Sequence, residues 1–71
     1  MIYAKLTTNQ MGIAVDVRKD EDEWQMLDLY PFKSYDAPTV CQYSSCINPA
    51  RQTQEIAEYL RGKGCTIVSV R

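Results

Sequence analysis

Histidine is absent from the 71 residues. That removes the commonest general base, the commonest metal ligand and the side chain that ordinarily titrates near neutral pH. Long apolar runs are absent too. None approaches the roughly 18 residues of a membrane span, and the N-terminus lacks the basic-then-apolar pattern of a signal peptide. No membrane partner is expected. Cysteine is scarce and odd in number: Cys41, Cys46 and Cys65. A secreted domain stapled by disulfides would carry an even and larger set, so free thiols in a cytoplasmic setting are expected. An excess of one charge is missing as well. Eight basic and nine acidic residues leave a net charge of −1, which argues against binding nucleic acid through its phosphates. Glycine and proline number only three each, against 45 % hydrophobic residues. Disorder, collagen and coiled coil are therefore poor readings. The length fits one small domain spanning residues 1–71.

What is present reads as alternating strands followed by one helix. Ile2, Ala4 and Leu6 alternate with Tyr3, Lys5 and Thr7, the period of a strand with one apolar face. The polar stretch Thr8 to Gly12 connects it to a second strand, in which Ile13, Val15 and Val17 alternate with Ala14, Asp16 and Arg18. Trp24 to Tyr30 forms a third, ended by Pro31, which cannot donate to a ladder. Burial then sets a register: Val15 opposite Leu27, Ile13 opposite Leu29, and Asp20-Glu21-Asp22 as a three-residue loop. This puts Trp24, Met26 and Tyr30 on the outer face and Arg18 beside Trp24 as a cation–π pair.

Residues 31–47 are rich in loop formers, with Thr39 to Tyr43 as a candidate edge strand. Asn48-Pro49 is a helix start, with Asn as cap and Pro at the first position. Thr53, Ile56, Ala57 and Leu60 form a helical apolar stripe. Gly62-Lys63-Gly64 ends the helix. Cys65 to Val70 is apolar and β-branched, a last strand in which Cys65 acts as a small hydrophobe. The expected fold is α+β. An antiparallel meander of three to four strands carries one helix on one face and a C-terminal strand, in the order β-β-β-(β)-α-β. The last strand should run parallel to the first, giving the spatial order third, second, first, last. This order is similar to the first half of a ribonuclease H-type sheet and to small antitoxin domains built on that half. The resemblance is one of topology. The carboxylate cluster of ribonuclease H catalysis has no counterpart here, because the first strand carries no acid and Asp16 and Asp28 are expected on the outer face.

No metal site is expected. Cys41 and Cys46 are spaced C-x4-C and lack a second pair, with Asp36 as the nearest further ligand. Cys46 precedes the helix cap by two residues, where a thiol pKa can fall. The run from Val40 to Cys46 followed by a helix, Gly64 and a strand is similar to the redox end of glutaredoxins but lacks C-x2-C. It also lacks the C-x5-R of phosphatases. A thiol enzyme using Cys46 is thus an alternative, while the main expectation is a protein with no catalytic residues and no cofactor. Asp20, Glu21, Asp22 and Glu23 make four consecutive acids at a hairpin tip. Residues 1–36 hold four basic and seven acidic residues, and residues 37–71 hold four and two. One end should be acidic and the other mildly basic. Trp24 and Tyr30 flank the acids with side chains typical of interfaces. The expected function is a non-enzymatic protein-binding module, a regulator or inhibitor of the kind phage and mobile elements encode. Its partner would be a protein with a basic or mixed surface, and homodimerisation is a further expectation. The other alternative is an antitoxin-like, nucleic-acid-linked dimeric domain that neutralises a basic toxin with its acidic edge. For nucleic acid itself, Arg51, Arg61, Lys63 and Arg71 with Tyr43 and Tyr59 make only a weak basic patch.

Overall fold

Alternation in the first thirty residues produces three strands: β1 (Ile2–Thr8), β2 (Gly12–Lys19) and β3 (Gln25–Pro31). They are followed by α1 (Pro49–Gly62) and β4 (Cys65–Val70). The computed structural model describes residues 1–33 and 48–71. The expected Thr39–Tyr43 strand, Cys41 and Cys46 lie outside these residues. The sheet has the order β3-β2-β1-β4. β4 runs parallel to β1, and the β1–β2 and β2–β3 pairs are antiparallel. The α+β fold and the strand order are those expected.

Pairing of β1 with β2 sets Ala4 against Val17 and Leu6 against Val15. One face therefore collects the apolar residues of both strands. The turn between them is held by Asn9, whose Oδ1 accepts from the N–H of Met11 at 2.8 Å and of Gly12 at 3.1 Å. This is an Asx turn, a local bond that Asn offers the backbone.

At the other end of the chain, Asn48 caps α1 as expected: its Oδ1 accepts from the Arg51 N–H at 3.1 Å. Gly64, at φ 92, takes the left-handed turn into β4. The helix buries Thr53, Ile56, Ala57 and Leu60, together with Gln52. The core consists of Ala4, Leu6, Ile13, Val15, Ile56, Ala57 and Leu60, with Val17, Tyr30, Phe32, Cys65 and Ile67 packed around it. Cys65 is half-buried at the start of β4, in keeping with a small hydrophobe.

The register of β3 differs from expectation. Val15 pairs with Asp28 and Ile13 with Tyr30. A bulge then skips Leu27, so that Asp16 meets Met26 and Val17 meets Gln25. Tyr30 consequently lies on the helix side, against the core, and not on the outer face. Asp28 also turns to the helix side, where it stays exposed. The cause is the reach of the helix. It packs chiefly on β4, less on β1 and least on β2, so among the described residues nothing covers most of β3, and Leu27 is exposed at 54 %. The loop is longer than expected as well, running from Asp20 to Trp24. Asp20 adopts φ 53, a left-handed conformation that Asp tolerates better than most residues. Its N–H donates to the Met1 carbonyl at 2.9 Å, and the Asp22 N–H donates to the Lys19 carbonyl at 3.0 Å.

Candidate docking face

Among the described residues, no element covers the sheet face opposite the helix. Alternation assigns Tyr3 and Lys5 of β1, Asp16 and Arg18 of β2 and Met26 of β3 to this face. Trp24, just before β3, folds over it. Lys5 Nζ lies 4.6 Å from the Trp24 ring centroid, and Arg18 Cζ lies 5.1 Å from it. Arg18 Cζ is also 5.3 Å from the Tyr3 ring. Two cations and two aromatic rings thus interleave across three segments. Each such contact contributes roughly 0.5–1 kcal/mol at an exposed site. Arg18 Nε is buried and makes no hydrogen bond. The Arg18–Trp24 pair was expected from the sequence; Tyr3 and Lys5 were missed. Their signal was available, because both alternate with Ile2, Ala4 and Leu6 and so belong to the face away from the core.

The acidic tip borders this cluster. An open recess of about 600 Å³ is lined by Tyr3, Arg18, Asp20, Glu21 and Asp22. Asp20 is engaged, with Oδ1 2.8 Å from the Met1 ammonium. Both groups are well exposed, so the pair contributes little stability. Glu21, Asp22 and Glu23 are exposed and form no ion pair among the described residues. Asp20, Glu21, Asp22, Glu23 and Trp24 therefore come together at one end of the sheet. Tyr30 does not join them. It sits on the opposite side, near the far end of β3, facing a groove formed with Gln52, Ile56 and Tyr59.

Burial there lifts the Tyr30 hydroxyl above the usual tyrosine range, and the Asp28 carboxylate and Tyr59 push in the same direction. The folded state thus favours the neutral phenol. Stability tied to this group is fully present below the ordinary tyrosine pKa of about 10 and falls as pH rises above it, through Tyr30's higher native value. Titration by tyrosinate absorbance should contain a component above the usual tyrosine range, and Tyr30→Phe should remove it. An unchanged curve for Tyr30→Phe would contradict the burial described here.

Among the described residues no group of His, Cys, Asp or Glu is placed to hold a metal ion. No described helix is long and apolar enough to cross a membrane. No protein-family model matches the chain, and neither do curated proteins or solved structures.

Proposed function

We propose that this chain works in the cytoplasm by binding another protein, as a small regulator or inhibitor of the kind phage and mobile elements encode. The observation that carries the reading is Trp24. It is held over Lys5 and Arg18 on the sheet face opposite the helix, rather than packed in the core, and it adjoins Glu21, Asp22 and Glu23, acids that form no ion pair among the described residues. A tryptophan anchor beside exposed charge is the composition of an interface centre and its rim. The acids favour a partner with a basic patch, which they would steer into contact. The docking surface comprises Asp20 to Trp24 with Tyr3 and Arg18. Tyr30, on the other side of the sheet, is no part of it.

The two groups of residues should leave different kinetic traces. Reversing Glu21, Asp22 and Glu23 to lysine should slow association, with an effect that fades in high salt because exposed charges act over about 10 Å at 0.1 M. Trp24→Ala should speed dissociation at any salt and weaken binding by about 2 kcal/mol. Surface-immobilised kinetics against the partner recovered from native extract would measure both. Wild-type kinetics for both folded variants would contradict the proposal.

A second reading has one observation in its favour. Aromatic rings interleaved with cations on an open sheet face are also how single-stranded nucleic acid is stacked. Salt-sensitive retention on an oligonucleotide column, lost in Trp24→Ala, would favour an antitoxin-like role instead.

A further inference from the structure

The edges of the sheet carry a second message, separate from its helix-free face. β3 and β4 each lack a neighbour on one side among the described residues. β4 contains no charged residue, and Thr66, Ile67, Val68 and Val70 are β-branched. Natural edge strands are commonly blunted by lysine, proline or inward-pointing charge; β4 has a bulge at Val68 and no other such device. Val68 and Val70 are exposed at 48 % and 53 %, and on the opposite edge Met26 and Leu27 are exposed at 63 % and 54 %.

The pairings fix the directions. β4 is parallel to β1, and β3 reverses twice relative to β1, so β3 and β4 point the same way. Both begin at the end of the sheet where Ile2 lies beside Lys19 and Cys65. Just before β3 come the acids Asp22 and Glu23; just before β4 come Arg61 and Lys63. Each edge strand also has one extra residue, Leu27 in β3 and Val68 in β4. Laying Leu27 of one copy beside Val68 of another brings the acidic loop that precedes β3 next to the basic helix end that precedes β4.

We propose that the chain associates head to tail with a second copy, β4 of one pairing in parallel with β3 of the next. The symmetric alternatives are less favourable. Antiparallel β4–β4 pairing brings the basic helix end of each copy, Arg61 and Lys63, towards Arg71 of the other. Antiparallel β3–β3 pairing sets Asp28 against Asp28 at its centre. Like charges placed directly opposite destabilise a strand pair. A head-to-tail contact leaves one free edge at each end, so growth continues past the dimer.

The test uses purified chain and two edge variants. Val68→Glu opposes the acidic edge, and Leu27→Lys opposes the basic one. Sedimentation velocity of the wild type should show mass rising with concentration, less so in high salt. Each variant alone should sediment as the 8.2 kDa chain. An equimolar mixture should associate again, because each variant keeps one intact edge and the two substituted positions, which face each other in this pairing, carry opposite charge. A wild type that stays monomeric at millimolar concentration overturns the proposal. So does a Leu27→Lys dimer without its partner variant, which would mean β4–β4 pairing, or a Val68→Glu dimer, which would mean β3–β3 pairing. Val70→Glu with Met26→Lys forms a second pair of variants should either first variant fail to fold. None of these outcomes depends on the partner-binding role of Trp24.

Discussion

Replacing Gly12 with alanine should leave the protein largely unfolded under mild denaturant. Gly12 is buried at the start of β2, directly across from Pro31. A β-carbon there would lie 2.2 Å from the Tyr30 carbonyl oxygen and 2.9 Å from Pro31 Cα. Both neighbours are backbone, so no rotamer change relieves the clash. The backbone also sits at φ 154, a region that side chains rarely adopt. Overpacking and conformational strain together should cost about 2–5 kcal/mol. A chain of this length has a total stability on the order of 5 kcal/mol. Gly62→Ala is the control: its β-carbon would meet nothing within 4 Å, so it should be neutral or slightly stabilising. Urea melts of the two variants should therefore diverge widely. Equal midpoints would mean that β2 and β3 do not approach as described.

Gln52→Leu should be the next most damaging change. Gln52 is 1 % exposed. Its Nε2 donates to the Pro31 carbonyl at 2.7 Å, and its Oε1 accepts from the Lys33 N–H at 2.9 Å. One buried amide thus fastens the end of β3 to the helix and satisfies two backbone groups. Leucine has similar bulk and neither polar end, so both groups lose their partner at about 1–3 kcal/mol each. The expected loss is about 2–5 kcal/mol in a urea melt, with faster hydrogen exchange at the Lys33 amide. Wild-type exchange at Lys33 would contradict the clamp.

Most of the strand and helix order could be read from residue pattern alone. Ile2-Ala4-Leu6 and Ile13-Val15-Val17 alternate without interruption because both strands lie under α1. The Thr53-Ile56-Ala57-Leu60 stripe emerged for the same reason. The register of β3 is not legible from alternation, which fixes a register only where the helix covers the whole face. The helix does not reach that far, so Leu27 and Leu29 were free to leave the core side while Tyr30 entered it. The bulge at Leu27 restores the phase, which is why Met26 still lies outside, as expected. Gln52 escaped notice because glutamine reads as polar, although Gln52, Ile56 and Leu60 follow i, i+4, i+8 and extend the buried stripe. The docking face was half legible. Arg18 and Trp24 pair in the register, while Tyr3 and Lys5 read only as the outward residues of β1, an inner strand of the sheet.

Partner binding as proposed turns on Trp24 being a surface anchor rather than a core residue. The most direct measurement is a urea melt of Trp24→Ala run alongside retention of the native-extract partner by the same variant. Losing the contacts to Lys5 and Arg18 should lower stability by only about 1–2 kcal/mol, with a cooperative transition intact, while partner retention is lost. A Trp24→Ala variant that cannot fold, or one that folds and retains the partner as the wild type does, would contradict it.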